Sequence, residues 1–428
     1  MAILRELQEH AYRFFHHEYD EQTGMHYDSS DSKSPQCIAS AGMGLACYPV
    51  AVENHFTTRH QAVQRALKTL RFLYNSEQSE SATATGYRGF YYHFLDRETG
   101  RRTWKCELSS IDTTLLLAGI LVCQKYFWHD VASERELRDL ATQLYERVQW
   151  DWMCNSKNLI AMGWKPNSGF LQFYWQGYNE GLLLYLLALG SPTHPIPPKN
   201  YEEWCSSYQW KKLYNYDFLY SGPLFIHQMS HCWVDFRGIR DKPMSQHNSD
   251  YFENSRRATM VQRAYTKRNA AKWSGYCEHC WGISASDGPG PCIEKIKGRN
   301  HRFWSYRARG VPFGPDDGSI SPWAAVASLP FAPQEVLEAI HHFEKMDFRD
   351  PDAYGYETTI NMSFLESKGK YWVSRRHIGI NQGPVILMIE NHLTGLIWEL
   401  MRDCKPLVCG LQRAGFKGGW LKNKNEMR

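Results

Sequence analysis

Glu180 stands at the entrance of a run that is otherwise nearly all apolar, GYNEGLLLYLLALG over residues 177–190. Gly181 to Leu189 reads as a helix buried on all sides, and Gly190 and Pro192 stop it. A carboxylate at that entrance either caps the helix dipole or faces a cavity and handles protons. A second acidic pair, Glu107 and Asp112, lies in CELSSIDTT, residues 106–114, at the start of another apolar helix. Carboxyl groups gathered at one cavity mouth are what cleavage of a glycosidic bond requires. One protonates the leaving oxygen, and the other activates water or attacks.

Four further stretches carry polar groups. SHCWVDFRGIRDK, residues 230–242, interleaves Trp233 and Phe236 with His231, Asp235, Arg237, Arg240 and Asp241. Its charged pairs either staple a loop or hydrogen-bond sugar hydroxyls, and the aromatics between them favour ligand contact. YCEHCWGISASDGPG, residues 276–290, offers Trp281 and Asp287. Cys277, His279, Cys280 and Cys292 have a CxxC spacing, but no second CxxC or HxxxH follows, so neither a metal nor a cofactor is expected. GPDDGSISP places Asp316 and Asp317 before a helix, where capping is their default role. GINQGPVILMIEN puts Asn381 and Gln382 at the start of a buried helix, and Glu390 inside it, where it needs a partner. There is no GxSxG, no Walker A and no GxGxxG in a strand context, which leaves acyl-transfer and nucleotide chemistry without support.

Composition narrows the partners. Of 428 residues, 43% are apolar and 22% charged, as in a folded globular chain. A net charge of +4 is too small for nucleic acid to be the main partner. Aromatics make up 14%, with 16 Trp and 25 Tyr, many in polar, Gly-rich strings such as GYRGFYYHF and FLQFYWQGYNE. Rings in such loops offer a flat apolar face and a polar edge, which suits sugars. The first residues, MAILRELQEHAYRFFHHEYD, read as an amphipathic helix rather than a signal peptide. No apolar run reaches the roughly 18 residues of a membrane span. Twelve cysteines without an export pattern point to reduced thiols in the cytoplasm.

The elements that must position these groups are mostly helices. Apolar periodicity predicts them near 3–18, 36–54, 59–75, 109–128, 132–150, 177–189, 199–212, 222–232, 247–268, 319–328, 333–345 and 380–401. Those at 109–128, 177–189 and 380–401 are apolar nearly all round, and those at 3–18, 59–75, 132–150 and 333–345 carry charge on one face. Inner and outer helices in alternation predict an all-α (α/α)6 toroid, with small β-hairpins near 86–105 and 354–373. No linker divides residues 1–428, so one domain is expected.

The strings GYRGFYYHFLD, ELSSIDTTLLLAGIL, GYNEGLLLYLLALGSPTHPI, HCWVDFRGIRD, YFENSRRAT, WGISASDGPG, YRARG, DDGSISP and NQGPVILMIEN resemble the glucoamylase-like domain of glycoside hydrolase family 144 and its relatives. The resemblance covers nearly the whole chain. It implies an (α/α)6 toroid acting on β-1,2-glucan, usually as an inverting endo-β-1,2-glucanase that releases sophoro-oligosaccharides. The acid of the GYNE string falls on Glu180. The family's base aligns with Asn381, an amide that cannot act as a general base. The role then falls to another acid facing the cavity, Glu107, Asp112, Asp235, Asp317 or Glu357, or to a relay through water. Tyr178, Asn179, Trp233, Asp235, Arg237, Asp241, Trp281, Asp287, Arg307, Asp317, Asn381 and Gln382 are the expected substrate contacts. The expected partner set is the glucan alone, with the chain as a monomer. An exo-acting or transglycosylating relative and a non-catalytic glucan binder are the alternatives.

Overall fold

The computed structural model describes residues 2–296, 298–350, 354–366 and 369–424. Helices dominate: α1 (Ala2–His17), α2 (Ile38–Glu53), α3 (Arg59–Asn75), α4 (Ser110–Tyr126), α5 (Ala132–Glu146), α6 (Gly181–Gly190), α7 (Pro198–Cys205), α8 (Lys242–Gln246), α9 (Tyr251–Arg268), α10 (Pro322–Val326), α11 (Pro333–Lys345), α12 (Gly379–Leu393), α13 (Leu396–Arg402) and α14 (Lys405–Arg413). Their apolar patterns sort them. α2, α4, α6 and α12 are buried on almost every face. α1, α3, α5, α11 and α14 bury a single stripe, as a 3.6-residue period with one charged side requires. Among the described residues no helix is long and apolar enough to cross a membrane.

α2 is the hub. It packs on α4 and α12, and also touches α1 and α3, while α6 packs on α14 and α4. α2 and α4 cross where Gly42 meets Gly119. A Cβ on Gly119 would fall 2.0 Å from the Gly42 oxygen, and one on Gly42 would fall 2.3 Å from the Leu115 oxygen. The two backbones touch there because neither residue has a side chain.

Short antiparallel strands fill the loops. The widest sheet runs Gly86–Tyr87, Phe90–Tyr92, Leu108–Ser109, Gly163–Lys165, Gly169–Phe170. A second joins Ser319–Ile320, Ile360–Leu365 and Tyr371–Val373. Within the hairpin expected near 86–105, residues 96–100 form a turn in which Gly100 N donates to Asp96 O at 3.0 Å. The hairpin expected over 354–373 is built from Ile360–Leu365 and Tyr371–Val373; the rest of that stretch includes Ser367 and Lys368, outside the described residues.

Several helices end early for local reasons. The helix expected over 199–212 stops at Cys205, and Trp210–Leu213 instead pairs with Tyr216–Leu219 across a turn whose Tyr214 and Asn215 have φ of 49° and 72°. Residues 222–232 form two 3₁₀ turns, Leu224–His227 and Met229–Cys232, rather than one helix. α9 starts only at Tyr251, where Asp250 caps it by accepting from Glu253 N at 2.8 Å. The span 319–328 shrinks to α10 because Ser319 and Ile320 pair with Asn361 and Ile360. The span 380–401 breaks at Gly395, φ 78°, into α12 and α13. α14 lies beyond the last helix expected from sequence.

Candidate active site

Strand register brings the first charged groups together. Tyr91 pairs with Ser109 and Tyr92 with Leu108, and His93 N donates to Glu107 O at 3.0 Å. The same register therefore sets His93 opposite Glu107, just before α4 begins. Its Nδ1 lies 3.1 Å from Glu107 Oε1 and 3.5 Å from Asp112 Oδ2. Burial opposes a charge on His93, but Asp112, Cys37 and Glu107 outweigh it and raise its pKa well above the ordinary value. The His93 hydrogen bond holds the Glu107 carboxyl below its usual range. Asp112 does not cap α4. Ser109 does, accepting from Asp112 N at 3.1 Å, and its hydroxyl donates to Asp112 Oδ2 at 2.5 Å.

α6 supplies the opposing acid. Asn179 takes over the capping of that helix: its Oδ1 accepts from Gly181 N at 3.0 Å. Glu180 makes no side-chain capping bond and lines a cavity of about 570 Å³ together with Asp112, His93 and Asn381. Burial, with the Asp112 charge adding to it, pushes the Glu180 carboxyl up to about 7. A carboxyl group of this kind keeps its proton near neutrality and can donate it.

The other wall comes from residues 28–34 and 376–381. Ser29 bridges Ile378, and Gly379 N donates to Asp28 O at 2.9 Å. This pairing sets Asp28, Asp31 and Arg376 along the cavity. Burial raises the Asp28 carboxyl. Arg376 is clamped by Asp287, with two contacts of 2.8 Å. Asn381 is 3% exposed, and its Nδ2 finds no acceptor among the described residues. Tyr306 and Trp104 line the cavity and are themselves largely exposed.

Several residues expected to touch ligand lie elsewhere. Trp233 and Trp281 are fully buried, so their rings serve packing rather than a wet surface. Asp235 is clamped between Arg237, at 2.7 and 2.9 Å, and Arg402; the three staple a loop to α13. Asp241 caps α8 and accepts from Tyr201 and Tyr251 at 2.7 and 2.8 Å. Asp317 forms a fully buried pair with Arg309 at 2.7 and 2.8 Å. Arg309 also ties down the carbonyls of Ser286, Asp287 and Trp304. The YRARG, DDGSISP and WGISASDGPG strings are thus parts of one internal brace. Tyr178 is buried against His227 and Tyr251, Gln382 turns to His377 at 3.1 Å, and Arg307 is exposed on a strand beside Ser286. Asp287 acts through Arg376. Glu390 has the partner it needs in Arg5, whose Nη1 donates to it at 2.5 Å, with Gln8 Nε2 at 3.0 Å and Asn54 Nδ2 at 3.1 Å also donating.

Of the remaining base candidates, Glu357 is pushed up to about 7 by burial and by Asp350, behind the cavity wall with His377. Among the described residues, two groups have ligand atoms close enough for a cation, His93–Glu107–Asp112 and Asp350–Glu357–His377. In the first, His93 Nδ1 is already engaged by Glu107 Oε1 at 3.1 Å. A wider groove of about 1130 Å³ runs between α7, α8 and residues 413–422. Its buried carboxylate, Asp241, is occupied by two tyrosines, so the smaller cavity is the one equipped for proton chemistry. Sequence reasoning missed Asp28, His93, Trp104, Tyr306 and Arg376. The sequence hints were His93 within the aromatic string GYRGFYYHF and Tyr306 within YRARG.

The sequence model of the family described as "Putative glucoamylase" matches residues 172–405. The exo beta-1,2-glucooligosaccharide sophorohydrolase (non-reducing end) of Parabacteroides distasonis is 25% identical, over 96% of this chain and 57% of its own length. The chain therefore spans little more than half of that relative. A solved structure of a putative glucoamylase from Bacteroides uniformis is 28% identical, with a TM-score of 0.85 and 98% of both chains covered. An endo-beta-1,2-glucanase from Chitinophaga pinensis, solved with sophorotriose and glucose, is 25% identical, with a TM-score of 0.84 over 98% of this chain and 99% of that one.

Proposed function

The chain belongs to the putative glucoamylase family, and from that premise we propose that it is a glycoside hydrolase cleaving β-1,2-glucan. One observation carries the reading: Glu180 and Asp112 line one cavity in opposite environments. Burial raises Glu180 to about 7, while Asp112 Oδ2 lies 3.5 Å from His93 Nδ1. A carboxyl group that keeps its proton near neutrality and a second carboxyl on the same cavity supply the acid and the base that the reaction needs. The named activities of the Parabacteroides and Chitinophaga relatives support the substrate.

Glu180 donates its proton to the leaving glycosidic oxygen as the C–O bond breaks. Asp112 takes a proton from a water molecule, whose oxygen bonds to the anomeric carbon from the opposite face. The imidazolium of His93 holds Asp112 in place and offsets its charge. Asn381 donates its unpaired N–H to a sugar or water oxygen. This route inverts the anomeric carbon and needs about 6.5–9.5 Å between the two carboxyls, room for the water.

The same reading takes the helices as one (α/α)6 toroid, residues 1–428 as one catalytic domain, and the protein as a monomer that uses neither cofactor, nucleic acid nor membrane. Cytoplasmic placement is supported by twelve cysteines that are all unbridged. Endo action, releasing sophoro-oligosaccharides, is the primary reading. Exo release of sophorose is the second, favoured by the Parabacteroides relative. Incubation with a panel of β-linked glucans, following product size and anomeric form, tests all of this. Mixed oligosaccharides of inverted configuration are expected. Disaccharide alone would mean exo action, and an unchanged β-1,2-glucan would overturn the proposal.

A further inference from the structure

At the cavity mouth the backbone is held where ordinary side chains rarely go. Trp104 and Lys105 have φ of 54° and 51°. The turn they form closes with Cys106 N donating to Thr103 O at 3.1 Å. Positive φ at both central residues is the condition of a turn that selects Asn-Gly or Gly-Gly. A tryptophan there is a strained choice. The packing of the turn does not explain it, because Trp104 is 64% exposed. Its ring lines the cavity and leans on Phe94, 5.1 Å between centroids. Phe94 in turn stacks on His93 at 3.8 Å, and His93 pairs with Asp112. A strained turn thus holds a wet indole at the outer end of a column that reaches the candidate base.

We propose that Trp104 is a specificity-determining platform: a glucose ring of the β-1,2-glucan, outside the two that flank the scissile bond, lays its C–H face on the indole, so longer chains are favoured. The proposal rests on the β-1,2-glucan reading above. Aromatic rings suit such a face because they are flat, apolar and rigid.

A structural and a functional role predict different outcomes at this position. Asparagine suits the turn better than tryptophan, so Trp104→Asn is expected to keep or raise Tm. The same variant is expected to raise KM for long linear β-1,2-glucan about threefold to tenfold, with a smaller change for sophorotriose. Trp104→Phe, which keeps a flat ring, is expected to recover most of the lost affinity. Equal effects on long and short substrates, or no effect on either, would overturn the platform. Calorimetric titration of long glucan into Glu180→Gln, with and without Trp104→Asn, separates this from failure of the hydrolase reading. Binding that Trp104→Asn weakens, in a protein whose wild type cleaves nothing, overturns only the hydrolase. Binding indifferent to Trp104 overturns the platform, and no binding at all overturns both.

Discussion

Nδ1 of His93 lies 3.5 Å from Oδ2 of Asp112. The same nitrogen also reaches Glu107 at 3.1 Å. One imidazolium therefore serves two carboxylates, one on a strand end and one on the first turn of α4. The arrangement sets an imidazole of raised pKa beside the candidate base, while burial is the main influence on Glu180.

Replacing Glu180 with glutamine keeps the shape and removes the proton. Turnover on β-1,2-glucan is expected to fall by about 10²- to 10⁴-fold, the usual worth of a general acid. The circular dichroism spectrum should not change, because Asn179 rather than Glu180 caps α6. Reducing-end release close to wild type would remove Glu180 from the mechanism.

The basic side of the pH–rate profile should report the same group. A general acid works only while protonated, and burial sets Glu180 at about 7. The value of kcat/KM is therefore expected to decline as pH rises through about 7. A basic limb two units higher would point to another donor.

His93→Gln tests the shared imidazolium through stability. The folded-state pKa of His93 is raised above its ordinary value of 6.5, by Asp112, Cys37 and Glu107 against the opposing effect of burial. Its contribution is thus complete below about pH 6.5 and is lost as pH rises through the folded value. The stability gap between wild type and variant should narrow as pH rises through the folded-state pKa of His93, measured as denaturant midpoints. A gap that ignores pH would mean that the ring matters only for packing.

Asp317→Ala leaves the Arg309 guanidinium buried and unpaired. A loss of about 3–5 kcal/mol in stability is expected, because both partners are at most 1% exposed. The folded fraction should still bind glucan with wild-type affinity. A stable variant that no longer binds glucan would return Asp317 to the substrate.

Some of the site could be read from the chain. Glu180 is a lone carboxylate at the mouth of an apolar helix, and Asp112 repeats that pattern, so local periodicity exposed both. His93, Asp28 and Arg376 gave no such signal. They reach the cavity through pairings between distant segments, Tyr92 with Leu108 and Ser29 with Ile378, which periodicity does not record. Trp233, Asp235, Trp281 and Asp317 misled for a different reason. Aromatic and charged residues interleaved in a loop look the same whether they face a sugar or brace the interior, and only burial distinguishes the two. The inner helices were legible because they are apolar all round. The break at Gly395 follows that residue's left-handed φ, whereas the shortening of 319–328 rests on pairing with the distant residues 360 and 361, which periodicity does not record.

The contact between Gly42 and Gly119 also gauges the cavity. Ala39 and Asp112, near the starts of α2 and α4, both line it, and Gly119 lies about two turns beyond Asp112. The separation of those walls is therefore set by a hydrogen atom at each of two positions that touch no substrate. One added methyl group would wedge the helices apart and widen the opening from behind. A lineage shifting to a bulkier glucan could make that adjustment at the helix crossing and leave every cavity side chain as it is.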